Sequence, residues 1–125
     1  MLNEVILVGR MTKDPELTFT SNGSGVTKFT LAVNRSYGDE TDFINIECWN
    51  RGNYKLAEYV AQDCLKGNLV TVKGELRIEK YKEKYYTKVN ADKVVYQKNK
   101  TSQENKNQNG LNDDADINDN FDVPF

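Results

Sequence analysis

The chain has 125 residues, and its 17 Lys and Arg against 19 Asp and Glu leave a formal net charge of −2. This balance argues against a simple basic nucleic-acid binder, whose footprint should be net positive. The absence of His excludes Ser-His and Cys-His nucleophile pairs and histidine metal ligands.

Two cysteines, Cys48 and Cys64, are too few for a zinc ribbon. We expect two buried thiols, with a single bridge as the alternative. The composition therefore predicts no enzyme, no metal site and no cofactor.

The charge is unevenly distributed along the chain. Residues 1–99 carry 15 basic and 13 acidic side chains, whereas residues 100–125 carry 2 basic and 6 acidic ones. Apolar residues become scarce from residue 99 onward, where Asn, Gln and Asp dominate. A segment of this composition cannot bury enough surface to offset its ordering entropy. We therefore expect a folded domain over 1–98 and a disordered acidic tail over 99–125.

We expect no targeting signal at the beginning of the chain. Its apolar run covers only four residues, 5–8, and Glu4 precedes it. Such a run is too short for a signal peptide or a membrane span. We therefore expect a cytoplasmic protein with no membrane partner.

Alternating apolar and polar residues predict a mainly β domain. The predicted strands, in chain order, cover 5–8, 26–35, 42–50, 68–81 and 85–96. A hairpin turn is predicted at 22–25, and Phe19, Phe29 and Tyr59 are assigned to the core. Apolar residues at helical spacing predict a helix over 54–67, with Gly67 as its left-handed C-terminal cap. Five strands with one helix after the third are the order of an OB-fold, a partly open Greek-key barrel.

The strand over 42–50 has one face of special interest. Period two places Ile44, Ile46 and Cys48 on a core face. The opposite face, in contrast, holds two large aromatic rings among polar groups; its residues are Phe43, Asn45, Glu47 and Trp49. Exposed rings of this kind can stack on nucleic-acid bases without regard to base sequence. A subunit interface is the alternative, because Tyr, Trp and Phe are enriched there as well.

The strand over 68–81 extends this pattern. Val70, Val72, Leu76 and Ile78 are predicted to face inward, and the outward residues are Lys73, Glu75, Arg77, Glu79 and Tyr81. Cations alternating with rings suit a surface that follows a nucleic-acid backbone. The first strand differs, because Val5 and Leu7 face one way and Ile6 and Val8 the other. Apolar residues on both faces predict a subunit contact there.

Several segments follow one another along the chain: VILVGRMTKDPEL, FTLAVNR, DFINIECWN, LAEYVAQDCLKG, GNLVTVKGELRIEKY and YYTKVNADKV, followed by the closing residues Asp122-Val123-Pro124-Phe125. In sequence and in order they resemble the homotetrameric OB-fold family of bacterial and phage single-stranded DNA-binding proteins. The resemblance implies sequence-independent binding of single-stranded DNA during replication, recombination and repair. An OB-fold module for protein assembly, or one that binds RNA, remains an alternative, because stacking and phosphate contacts do not read the 2′-hydroxyl.

The resemblance also implies roles for individual residues. Base stacking falls on Tyr37, Phe43, Trp49 and Tyr81. Contacts to the DNA backbone or to polar base atoms are expected at Arg10, Lys13, Arg35, Asn45, Arg51, Lys73, Arg77, Tyr86 and Lys88. The tip expected to bind replication, recombination and repair proteins comprises Asp119, Asp122, Val123, Pro124 and Phe125. The chain departs from the family pattern in a loop over 50–54 that is a few residues longer, and in tail acids that are spaced by Asn.

Overall fold

The structure, a computed structural model, describes residues 1–97. Within them the chain forms six strands and one helix. These are β1 (Val5–Met11), β2 (Glu16–Phe19), β3 (Gly25–Asn34), β4 (Thr41–Trp49), α1 (Leu56–Asp63), β5 (Leu69–Tyr81) and β6 (Lys84–Val95). No helix in this part of the chain is both long and apolar enough to cross a membrane. The predicted tail over 99–125 and its tip residues lie outside the described range.

The strands close into a barrel in the order β1-β5-β6-β4-β3, with β1 pairing back to β3. β4 and β6 are parallel, and the other pairs are antiparallel. The sixth strand, β2, lies outside the five predicted strands and pairs with β3 across the predicted turn at 22–25. β1 and β2 pair with the same edge of β3, at residues 31–32 and 25–28 respectively. Pro15 lies in the break between them, since proline has no N–H to donate to a ladder.

The core fills the barrel beneath α1. Alternation along β3 and β4 buries Phe29, Leu31, Ile46 and Cys48 as predicted. Cys48 and Cys64 are both free and buried, which confirms the expectation of two thiols rather than a bridge. Burial is the main cause that raises the pKa of Cys48 to about 12.

The helix is shorter than the predicted range of 54–67. Its first turn is capped from a distance, because Asn50 Oδ1 accepts hydrogen bonds from the N–H groups of Ala57 (2.9 Å) and Glu58 (3.4 Å). This satisfies backbone donors that the flanking Lys55 side chain cannot serve. At the other end the backbone is already extended at Cys64. The expectation that Gly67 caps the helix is therefore wrong.

The part of the chain that follows α1 explains this early end. Gly67 does adopt a positive φ of 89°, but its N–H donates to the carbonyl of Met11 over 2.8 Å. The glycine thus belongs to the turn that leads into the β1–β5 ladder.

Four residues assigned to the interior are exposed. Leu76 and Ile78 of β5 are 40% and 59% exposed, because the outer part of the β5–β6 hairpin extends beyond the barrel. Phe19 and Tyr59 are 59% and 45% exposed. The predicted core assignments of these side chains are wrong, although Leu76 and Ile78 lie on the predicted face of their strand.

Candidate nucleic-acid interface

The outward faces of four neighbouring strands combine into one polar and aromatic surface. β3, β4, β6 and β5 are adjacent in this order in the sheet. Lys28 lies opposite Glu47, Glu47 lies beside Asn90, and Arg77 lies opposite Lys88. Residues paired in this way project from the same side of a sheet. The alternation of each strand therefore places its outward residues next to those of the following strand.

A groove of about 320 Å³, which we call the Trp49 groove, crosses this surface. It is lined by Glu47, Trp49, Arg51, Arg77, Glu79, Lys88 and Asn90. The indole of Trp49 is partly buried, and its Nε1–H donates to Glu47 Oε1 over 3.2 Å. This hydrogen bond orients the ring beside the three cations of the groove. An oriented ring next to cations is suited to stacking on a base while the neighbouring phosphates are held.

Glu47 is the centre of the charge arrangement. Its side chain is only 12% exposed, and Lys88 Nζ lies 3.1 Å from Glu47 Oε1 and 3.2 Å from Glu79 Oε2. Partial burial opposes the charge on Lys88, but the hydrogen bonds to Glu47 and Glu79 outweigh it and raise the pKa of the lysine. Lys28 Nζ lies 3.9 Å from Glu47 Oε2. A phosphate that binds here therefore competes with carboxylates for its cations.

A second groove of about 340 Å³, the Asn45 groove, continues the first. The two share Glu47, Glu79 and Lys88. Its other lining residues include Lys13, Lys28, Thr30, Asn45 and Tyr86. The structure thus brings together, in one continuous channel, seven residues that the sequence placed at the site: Lys13, Asn45, Trp49, Arg51, Arg77, Tyr86 and Lys88.

Three predicted cations lie outside both grooves. Arg10 lines a separate cavity beside β1, and its guanidinium donates to the carbonyl of Gly67 over 3.0 Å. Arg35 forms ion pairs with Glu40 (2.8 Å) and with Asp42 (3.0 Å). Lys73 lies 3.5 Å from a carboxylate oxygen of Asp92. Their contribution to nucleic-acid binding stays a prediction.

Three predicted stacking residues also lie outside the grooves, with their rings open to solvent. Tyr37, Phe43 and Tyr81 are 89%, 67% and 62% exposed. Phe43 shares the outward face of β4 with Asn45, so its ring extends the channel at one end. Tyr81 lies at the end of β5, where Lys82 Nζ is 5.3 Å from its ring centroid.

Sequence reasoning did not assign several residues of the channel lining to the site. Among them are Lys28, Glu47, Glu79 and Asn90. All four occupy outward positions of strands, a signal that alternation contains. The role of the two carboxylates as partners of Lys88 depends on which strands are adjacent, and alternation does not contain that information.

A closed five-strand ring with a helix between its third and fourth members, and with a ring-and-cation channel on its face, defines the OB-fold class of oligonucleotide-binding proteins. The single-strand binding protein family matches residues 2–106. The chain is 44% identical over 106 residues to single-stranded DNA-binding protein A of Bacillus subtilis, covering 77% of this chain and 59% of that protein. It is 42% identical over 106 residues to protein B of the same organism, covering 77% and 90%.

A solved structure supports the same assignment. The wild-type single-stranded DNA-binding protein from Thermus aquaticus matches with a TM-score of 0.63 and 33% identity, over 76% of this chain and 40% of that one. The chain belongs to the single-strand binding protein family, and the OB-fold prediction is confirmed. It spans about 60% of the length of several of its curated relatives.

Proposed function

We propose that the chain binds single-stranded DNA without sequence preference and protects it during replication, recombination and repair. The observation that carries the proposal is the indole of Trp49, which Glu47 orients in a groove with Arg51, Arg77 and Lys88. Bases stack on Trp49, with Phe43, Tyr37 and Tyr81 as further rings. The role requires no catalytic residue. Because bacterial DNA lies in the cytoplasm, we expect the chain to act there.

The arrangement of charge supports stacking as the main source of affinity. Lys88 and Arg77 are already paired with carboxylates, at 3.1–3.3 Å. A phosphate that replaces a carboxylate beside a cation contributes less binding free energy than a phosphate that binds an unpaired cation. We therefore expect a shallow dependence of affinity on salt concentration, whereas a steep one would mean that phosphate contacts dominate.

The proposal is tested by titrating the full chain with oligo-dT, oligo-U and duplex DNA. Tight binding to oligo-dT with weaker binding to the other two is the expected result. Trp49→Ala should weaken oligo-dT binding by about 1–3 kcal/mol, the range for removing a stacking ring. Equal binding to oligo-U would favour an RNA-binding OB domain, and no binding at all would favour a protein-assembly module.

We further propose that the chain assembles as a homotetramer through β1. Within the described residues, β1 pairs with β5 over residues 5–10 but with β3 only at Arg10 and Met11. Val5 and Leu7 pack against the core, while Ile6 and Val8 are 62% and 41% exposed. An unpaired strand edge with exposed apolar side chains is suited to a second copy. Ile6→Asp should reduce the mass measured by light scattering, and an unchanged mass would contradict this contact.

The acidic tail is proposed to recruit replication, recombination and repair proteins. Its tip would offer an aromatic ring and a proline beside carboxylates, a chemistry that fits a basic-rimmed apolar pocket. Deleting residues 122–125 should leave oligo-dT affinity unchanged and abolish capture of such partners. Loss of DNA binding in the deleted chain would contradict this division of roles.

A further inference from the structure

The loop that precedes α1 forms a small hairpin at one end of the Trp49 groove. Arg51 and Tyr54 exchange two backbone hydrogen bonds of 2.8 and 2.9 Å. Gly52, the first residue between them, has a φ of 55°, a conformation that favours glycine. Residues that pair in this way project from the same side of a hairpin. Since Arg51 lines the Trp49 groove, the side chain of its partner Tyr54 projects from the hairpin on the same side as a residue of that lining.

Tyr54 has an aromatic neighbour on the helix. The ring centroids of Tyr54 and Tyr59 are 6.2 Å apart and the planes are tilted by 55°. The two side chains are 46% and 45% exposed, so each ring keeps an accessible surface. Tyr59 points outward because the buried face of α1 is formed by Leu56, Ala57 and Val60. Core packing therefore does not account for the exposed part of either ring.

Two cations beside these rings are free of ion pairs. Arg51 and Lys55 flank Tyr54 in sequence, and neither takes part in an ion pair within residues 1–97. The nearby carboxylates keep their charge, but each is hydrogen-bonded to an uncharged group rather than to one of these cations. Glu58 accepts a hydrogen bond from Asn50 Nδ2 (3.0 Å), and Asp63 accepts one from the Tyr96 hydroxyl (3.0 Å). The cations here are thus more available to phosphates than Lys88, which two carboxylates hold.

We propose that Tyr54 and Tyr59, with Arg51 and Lys55, form an additional subsite for single-stranded DNA that extends the Trp49 groove over the helix. The inference rests on the proposed function and adds a site to it. A base leaving Trp49 passes Arg51 and stacks on Tyr54 or Tyr59, while Lys55 holds the adjoining phosphate. The loop over 50–54 supplies this subsite, because its hairpin places Tyr54 beside Arg51.

The direct test places a reporter in the subsite. In a Trp49→Phe, Tyr54→Trp double variant, the only tryptophan lies at position 54, since the chain has one natural tryptophan. Phenylalanine at position 49 keeps a ring for stacking. Saturating oligo-dT should quench the emission of this variant. The matched control is Trp49→Phe, Tyr85→Trp, because Tyr85 lies opposite Lys80 on the other face of the β5–β6 hairpin and is 68% exposed. Its emission should change little.

An affinity measurement provides the second test. A Tyr54→Ala, Tyr59→Ala variant should bind an oligo-dT of about 16 nucleotides roughly tenfold more weakly. An oligo-dT of about 6 nucleotides, which the channel itself can hold, should bind with unchanged affinity. Tyr85→Ala is the matched control and should bind both lengths normally. Thermal unfolding of the variants checks that exposed side chains were removed without loss of the fold.

The outcomes separate this inference from the proposed function. If the natural chain binds oligo-dT but position 54 is not quenched and the double alanine variant binds normally, the subsite is disproved and the proposed function stands. Equal weakening for both lengths would also overturn the subsite, because it would mean general damage to the channel. If the natural chain does not bind oligo-dT, both proposals fail together.

Discussion

The two halves of the β5–β6 ladder belong to the same antiparallel pairing but differ in how far their side chains are buried. The inner half comprises residues 69–74 of β5 and 89–95 of β6, and it contributes Val70, Val72 and Val89, which are at most 1% exposed. The projecting half comprises residues 75–81 of β5 and 84–88 of β6, and it carries Ile78 at 59% and Tyr81 at 62%. Alternation is equally regular in both. The difference teaches that alternation reports which face a side chain occupies, and that burial depends on what lies over the face.

Gly74 marks the junction between the halves. The register shifts between Lys73 and Gly74, which is a β-bulge. A Cβ at position 74 would lie 2.2 Å from the carbonyl oxygen of Asn90 and 2.7 Å from the Cα of Ala91. Bulges of this kind bend a strand and increase its twist. The junction therefore combines a close backbone approach with the point where β5 leaves the barrel.

The largest expected effect is at this junction. Gly74→Ala places a methyl group against backbone atoms that cannot rotate away, so β5 and β6 must separate locally. We expect a loss of about 3 kcal/mol in the free energy of unfolding, at the upper end for overpacking. Urea unfolding monitored by Trp49 fluorescence measures it. A variant as stable as the natural chain would contradict this prediction, because it would show that β5 and β6 separate at the bulge at little cost in free energy.

The next effect compares one apolar residue from each half. Val72→Ala removes methyl groups from a fully buried site and should cost about 2 kcal/mol of unfolding free energy. Ile78→Ala removes a larger group from an exposed site and should cost less than about 0.5 kcal/mol. The same urea experiment measures both variants. A large cost at Ile78 would contradict the comparison and indicate that another surface covers the projecting half.

The barrel should also respond to alkaline pH through Cys48. Burial raises the pKa of this thiol from 9.0 to about 12, so the unfolded chain loses the proton first. The stabilisation is complete below pH 9 and is lost as the pH rises toward 12. The slope from one such proton approaches about 1.4 kcal/mol per pH unit. Unfolding curves recorded between pH 8 and about 11 should show a decline that is less steep in Cys48→Ala. Parallel slopes in both proteins would rule out the thiol as a contributor.

The smallest effect is expected at the projecting half, and in binding rather than in stability. Tyr81→Ala should weaken oligo-dT binding by about 1 kcal/mol, the low end for a stacking ring, because Tyr81 lies outside both grooves. Its unfolding free energy should stay within about 0.5 kcal/mol of the natural value. Val72→Ala, measured where it is folded, should show the opposite pattern. If Tyr81→Ala binds normally, the projecting half does not take part in binding.

Much of the fold could be predicted because it depends on local periodicity. The alternation of β3 and β4 identified the buried Phe29, Leu31 and Ile46 correctly. The helix was found from its spacing, but its ends were not, because the cap comes from Asn50 and the chain turns away at Cys64 to pair with β1. Contacts between distant parts of the chain set these boundaries, and periodicity does not contain them.

The candidate site, like the fold, could be predicted only in part from the sequence. Trp49 and its outward neighbours followed from period two. The pairing of Lys88 with Glu47 and Glu79 could not be foreseen, because it requires β6 to lie between β4 and β5. The conformation of the 50–54 loop could not be predicted either. Its hairpin and its contact with the helix depend on hydrogen bonds and ring packing that spacing alone does not specify.

The opening balance of charge illustrates the division between sequence and structure. Composition and alternation are local properties, so the weakly basic stretch over 1–99, the outward rings and the acidic composition of the last residues could be read from the residues alone. Which of the charges are available depends on the tertiary structure. Lys88 and Arg77 are paired with carboxylates on the same surface, whereas Arg51 and Lys55 pair with none in residues 1–97. The physical reason is that a charge acts through its distance to other charges, and the arrangement of the strands sets that distance.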